Sequence, residues 1–119
     1  EIIRRAAGGS ARTLVISTDQ GELQVEGEYE IRYVLNQEGE VIRQDDSAYT
    51  LSTILPSAYF VMDLQKGQKG ITGFTLYGGG FGHGVGMSQN AAKAMAQSGK
   101  TYEEILAMFY WNCQLAKKY

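Results

Sequence analysis

Several residue types are scarce in this chain of 119 residues, and each scarcity argues against a class of protein. The one cysteine, Cys113, cannot form a disulfide within the chain, and together with the one histidine, His83, it is too little for a zinc site. Positive charge is not in excess, since 11 Lys and Arg face 13 Asp and Glu, which argues against nucleic acid as a partner. No apolar run approaches the roughly 18 residues of a membrane span. We therefore expect a soluble chain with no metal and no cofactor.

The length and composition suit one domain, or a piece of one. With 44% hydrophobic and 20% charged residues, the chain is close to the average of globular proteins, which excludes disorder and collagen. The first residues lack the apolar core of a secretory signal, and the chain opens at Glu1 rather than at a methionine. We expect a processed or excised part of a longer protein.

The N-terminal region has the patterns of β-strands. Residues 12–17 are short and β-branched, and residues 19–21 are typical of a turn. Between Leu23 and Tyr33 apolar residues fall on every second position, which predicts strand with one face in water. Gly27 stands at a position of that face where the alternation calls for an apolar side chain. It therefore predicts a bend, a bulge or the meeting of two short strands.

The middle of the chain predicts a surface connection followed by a hairpin. Residues 36–50 are polar and fit a connection that carries a short pairing at Val41 and Ile42. Residues 58–64 and 71–77 are apolar or aromatic runs on either side of a Gly- and Lys-rich tip. Two further strands follow from that pattern.

The C-terminal region has the signals of two helices. Residues 87–98 are rich in helix formers and end before Gly99, which suits the position after a helix. Thr101 and Glu104 have the spacing of a capping box and open a second helix. No linker or repeat divides the chain. The predicted fold class is α+β: an antiparallel, β-rich N-terminal two thirds, a glycine-rich loop and two C-terminal helices.

Six of the 15 glycines lie between Gly78 and Gly86, joining a predicted strand to a predicted helix. That context suits a phosphate-binding loop, but the dinucleotide fingerprint of glycines at i, i+2 and i+5 fails in every register. Residues 99–101 resemble the end of a P-loop, yet the upstream glycine position holds Ala94. Nucleotide binding is therefore not expected.

The glycines let the backbone pass close to a partner and adopt positive φ. His83 stands between Gly82 and Gly84, where its ring is poorly shielded and can exchange protons, although a backbone-bonded histidine is an equal alternative. Ser88 fits a helix N-cap as well as a ligand contact, and Gln89 suits hydroxyl and acetamido groups. No nucleophile elbow or orienting carboxylate supports a Ser-His hydrolase.

These residues carry a family resemblance. The run Gly79-Gly-Phe-Gly-His-Gly-Val-Gly-Met-Ser-Gln89, followed by Ala92, Met95-Ala96, Gly99, Tyr102-Glu-Glu-Ile-Leu106 and Phe109-Tyr110, resembles the signature of the stage II sporulation protein D and amidase-enhancer family. Residues 27–32 and 55–60 are similar to further blocks of that family. The resemblance covers residues 12–112. It identifies residues 1–119 as the C-terminal portion of such a domain, without the upstream catalytic block.

The resemblance implies a cell-wall function outside the cytoplasm. The sporulation branch of the family contains lytic transglycosylases that cleave peptidoglycan glycan strands without stem peptides, and one glutamate can act as acid and then as base. The family's glutamate lies upstream of every block seen in this sequence, so no catalytic residue is assigned. The implied glycan-binding residues are His83, Ser88, Gln89, Gly82, Gly84, Arg32 and Ser57.

Three interpretations stay open at this point. The chain is the non-catalytic half of a lytic transglycosylase with glycan strands as its partner. Alternatively, it is a cell-wall binding module that enhances an amidase and works with other wall hydrolases or sporulation proteins. The third is an excised domain whose glycine loop packs an internal strand and whose uncovered surface makes it self-associate.

Overall fold

A computed structural model describes residues 1–36, 39–51 and 53–116. This part of the chain forms two compact units, one from Glu1 to Gly84 and one from Val85 onward. The elements in chain order are β1 (Ile2–Arg5), β2 (Ala11–Thr18), β3 (Gly21–Glu26), α1 (Glu28–Val34), β4 (Glu40–Ile42), β5 (Ala48–Thr50), β6 (Phe60–Gly67), β7 (Gly70–Gly78), α2 (Gln89–Gln97) and α3 (Tyr102–Phe109). The predicted α+β class, with antiparallel strands first and two helices last, is confirmed.

The first unit is built on a three-stranded antiparallel sheet with the order β1-β2-β3. The sequence predicted β2 and β3 but not β1. Helix α1 packs against β2 and β3, and this packing closes the core of the unit. The buried core side chains are Ala11, Leu14, Val25, Ile31, Leu35, Leu55, Ala58 and Phe60.

The predicted strand between Leu23 and Tyr33 is wrong in its second half, because β3 ends at Glu26 and α1 begins at Glu28. Gly27, with φ of 95°, turns the chain between the two elements. Ile31 is the buried residue of the helix, and Leu35, one helical turn later, is also buried. The every-second-residue pattern was therefore misleading, since burial follows the helical spacing of four.

Two hairpins complete the first unit. The predicted pairing at Val41 is confirmed, because β4 and β5 form a two-stranded sheet in which Val41 lies opposite Tyr49. Residues 37 and 38 of the predicted connection lie outside the described residues. The predicted hairpin is also confirmed as β6 and β7, and its strands extend to Gly67 and Gly70, so the tip is tighter than the sequence indicated.

The second unit contains α2 and α3, which pack against each other. The hydroxyl of Ser88 accepts a hydrogen bond from the Ala91 amide and caps α2, while Gly99 adopts φ of 87° just beyond its end. Thr101 and Glu104 form the predicted capping box at α3. No helix of the described part of the chain is long and apolar enough to cross a membrane.

Candidate functional site

A glycine segment, residues 79–84, follows β7, and it is hydrogen-bonded to residues 56–59 of the first unit. The amide of Gly79 donates to the carbonyl of Tyr59 at 3.0 Å, and the amide of Gly82 donates to the carbonyl of Pro56 at 2.8 Å. Ser57 and Gly82 also form an isolated parallel bridge. Backbone bonds therefore hold the segment at two points, on either side of Phe81.

The side chain of Ser57 strengthens this attachment. Its hydroxyl donates to the carbonyl of Gly79 at 2.5 Å and accepts from the amide of Tyr59 at 3.1 Å. Both bonds go to main-chain atoms, so this side chain fixes the position of the glycine segment. Ser57 was predicted to bind glycan, and in the structure its hydroxyl bonds two main-chain groups of the protein.

Two of the predicted glycines have backbone conformations that favour glycine. Gly82 has φ of 109° and Gly84 has φ of 66°, both in the region that side-chain-bearing residues rarely adopt. A Cβ on Gly84 would also lie 3.0 Å from the Ser10 hydroxyl oxygen. Between them stands His83, which is exposed. The sequence thus favours glycine here for its conformation as well as for its small size.

Arg32 is bonded to the chain segment that precedes Ser57. Its Nε donates to the carbonyl of Leu55 at 2.8 Å, and a terminal nitrogen pairs with the Glu28 carboxylate at 3.1 Å. The Arg32 and Glu28 side chains are only 12% and 13% exposed. A mostly buried ion pair depends on its remaining hydrogen bonds, and the Leu55 carbonyl supplies one of them. Arg32 therefore ties α1 to the segment that holds the glycines.

The predicted site residues divide between the two units. Arg32, Ser57, Gly82, His83 and Gly84 belong to the first unit. Ser88 and Gln89 open α2 in the second unit, where the Ser88 hydroxyl serves as the N-cap and Gln89 is exposed. The structure thus joins Ser57 to the glycines directly and Arg32 to them through Leu55.

The carboxyl groups whose pKa values are shifted all have lowered values, which favours the ionised form. The pKa of Glu26 is lowered chiefly by a hydrogen bond from Gln24, and that of Asp45 by the Ser47 hydroxyl. The pKa of Glu103 is lowered chiefly by Tyr102, and that of Glu104 by Lys100. A general acid at neutral pH needs the opposite shift. The described residues also contain no cluster of three or more His, Cys, Asp or Glu side chains that could hold a metal.

The sequence patterns predicted no functional role for Pro56, Tyr59 or Phe81. Pro56 and Tyr59 act through backbone carbonyls, which leave no signal in the sequence because every residue has one. Phe81 has a recognisable signal: a large aromatic residue among glycines, where no neighbouring side chain can cover it. The residue is 89% exposed.

The chain therefore has an α+β fold in which strand β7 is followed by the hydrogen-bonded glycine segment. Phe81 and His83 are exposed on that segment. The sequence profile of a family described as a domain of unknown function (DUF8618) matches residues 1–86. The chain belongs to that family.

Two curated proteins of Bacillus subtilis (strain 168) are similar to this chain. The protein named amidase enhancer is 38% identical over 60 residues, which is 50% of this chain and 8% of the relative. Stage II sporulation protein D is 50% identical over 38 residues, which is 32% of this chain and 11% of the relative. The resemblance stated from the sequence is confirmed for those portions of the chain. No solved structure matches this chain.

Proposed function

We propose that the chain is a non-catalytic cell-wall module that binds peptidoglycan glycan strands and enhances an amidase. The observation that carries the proposal is the similarity to the protein named amidase enhancer, which extends over half of this chain. In this proposal the protein acts outside the cytoplasm, at the cell wall. The similarity to the protein named stage II sporulation protein D supports a function in sporulation.

The fastened glycine segment supports a binding function. A segment whose backbone is already held by Ser57, Pro56 and Tyr59 loses little conformational entropy when a ligand arrives. A Cβ built at Gly79 or Gly82 would meet no atom within 4 Å, so the space beside this backbone is open to a ligand. His83 is exposed within this segment and adds a polar ring.

The charge distribution supports a non-catalytic function. Cleavage of a glycosidic bond requires a carboxylic acid that is protonated near neutral pH. Residues 78–86, which contain the glycine segment, include no Asp or Glu. The carboxyl groups whose pKa values are shifted are shifted downward and lie elsewhere in the sequence. An enhancer needs no acid of its own.

The test is a stimulation assay with a purified peptidoglycan amidase and insoluble peptidoglycan. The chain should raise the initial rate of peptide release in a saturable manner, and His83→Ala should weaken the stimulation without lowering the melting temperature. Lys69→Ala, at the tip of the β6–β7 hairpin, is the matched control and should stimulate like the wild type. Absence of stimulation at any concentration would contradict the proposal, as would full stimulation by His83→Ala.

A second candidate is the glycan-binding part of a lytic transglycosylase. It is favoured by the identity of 50% to stage II sporulation protein D, although over only 38 residues. In this candidate the acid comes from another part of the full-length protein. Mass spectrometry of denuded glycan strands tests it, with this chain and a version extended upstream by its native sequence. If 1,6-anhydro ends form only with the extended version, the second candidate replaces the first. If neither version forms them, the amidase-enhancing proposal stands.

A further inference from the structure

Phe81 is the most exposed of the large hydrophobic side chains in the described part of the chain, at 89%. A ligand that covers an exposed aromatic ring gains free energy, because apolar area is removed from water. We propose that Phe81 is the platform on which one pyranose ring of a glycan strand stacks, an inference that rests on the proposed function.

The backbone around Phe81 is held in place before any ligand arrives. On one side the Gly79 amide is bonded to the Tyr59 carbonyl, and on the other the Gly82 amide is bonded to the Pro56 carbonyl. The Ser57 hydroxyl fastens the Gly79 carbonyl as well. An aromatic side chain has only two torsions to fix, so a ring on a fastened backbone binds at low entropic cost.

The surroundings of Phe81 favour a sugar over a protein partner. Protein hot spots lie in a packed patch whose rim excludes water, but the neighbours of Phe81 on both sides are glycines without side chains. The space beside Gly79 and Gly82 is open, since a Cβ built at either position would meet no atom within 4 Å. A single flat aromatic face with open space on both sides can accommodate a sugar ring.

The chemistry of stacking explains the specificity expected at this platform. The face of an aromatic ring carries partial negative charge, and the C–H bonds on the face of a β-linked hexosamine point toward it with partial positive charge. The sugar hydroxyls then point away from the aromatic face, around the edge of the pyranose ring. A leucine in the same place would offer apolar area without this charge complementarity.

The experiment measures binding of denuded peptidoglycan glycan strands to the full chain and to three variants, Phe81→Ala, Phe81→Leu and Phe81→Trp. The alanine and leucine variants should both weaken binding, alanine by about tenfold, which is the low end of the loss found when a nucleobase loses its aromatic stacking partner. The tryptophan variant should bind as tightly as the wild type or more tightly. Melting temperatures should be unchanged, because the ring makes few contacts within the protein. Tyr33→Ala removes another exposed aromatic ring, 64% exposed on α1, and should leave binding intact.

The outcomes separate this inference from the proposed function. If the wild type binds strands and Phe81→Ala binds equally well, the stacking proposal is overturned while the binding module stands. Full binding by Phe81→Leu overturns stacking in favour of simple apolar contact. If Phe81→Ala keeps glycan affinity but loses amidase stimulation, the ring contacts the amidase and the proposal is wrong. A wild type that binds no strands overturns the proposed glycan binding, and this inference with it.

Discussion

The two compact units differ in how much apolar surface they bury and in what holds their elements in place. The first unit has a core drawn from β2, β3, α1, β6 and the residues before β6. In the second unit α2 has no buried residue, and among the described residues Ile105 of α3 is the buried one. The first unit is therefore stabilised by contacts distant in sequence, whereas the helix ends of the second unit are stabilised by contacts within a few residues.

The largest expected effect comes from the core of the first unit. Leu14 on β2 is 1% exposed and lies opposite Val25. Leu14→Ala should lower the free energy of unfolding by about 3 kcal/mol, because it removes buried methyl groups and leaves a cavity. Urea unfolding measures the loss. Leu23→Ala on β3 is the matched control, since Leu23 is 57% exposed and its truncation should cost much less. Equal losses in the two variants would contradict the assigned core.

A smaller effect is expected where the first unit positions the glycine segment. Ser57→Ala removes the hydroxyl that bonds both Gly79 and Tyr59, which should cost about 1 kcal/mol. Hydrogen exchange of the Gly79 and Gly82 amides should speed up, and glycan affinity should fall. Ser47→Ala serves as the control because, among the described residues, the Ser47 hydroxyl bonds only its close neighbours Asp45 and Arg43. Unchanged exchange at both glycines would show that Ser57 does not fasten the segment.

In the second unit the expected effect is local. Thr101→Ala removes the oxygen that accepts from the Glu104 amide and breaks half of the capping box, at a cost of about 1 kcal/mol in the stability of α3. Circular dichroism should report less helix. Thr101→Ser keeps a hydroxyl at the same place and should retain the helix content. If the alanine variant keeps full helix content, tertiary packing and not the cap sets the start of α3.

The same contrast explains what the sequence could predict. The ends of α2 and α3 were predictable because Ser88, Gly99 and the Thr101–Glu104 pair act on backbone groups within a few residues. Helix α1 was missed because both a strand and a helix would place Ile31 inside, and only packing against β2 and β3 decides between them.

For the candidate site, the sequence indicated that glycine was needed between Gly78 and Gly86 but not what the segment binds to within the fold. The Ser57 hydroxyl reaches Gly79 across 22 residues of chain, and nothing near Ser57 in the sequence signals that contact. Arg32 was predicted as a glycan contact from a resemblance alone, whereas its bonds to Leu55 and Glu28 give it a supporting place. Contacts made by main-chain carbonyls could not be predicted from side-chain patterns.

The smallest expected effect is the pH dependence of the local contacts at the start of α3. The pKa of Glu104 is lowered from 4.5, chiefly by the hydrogen bond from Lys100 and then by the Thr101 amide. A lowered pKa in the folded state means that the stabilisation is present above the unfolded pKa and is lost as the pH falls through the folded value. Both side chains are about half exposed, so the contribution is small and weakens with salt. NMR titration of the Glu104 carboxyl carbon should give a midpoint below the usual value, and Lys100→Gln should move that midpoint back up. A midpoint in the wild type at or above the usual value would remove the charge contribution and leave the Thr101 hydroxyl as the main local determinant of where α3 begins.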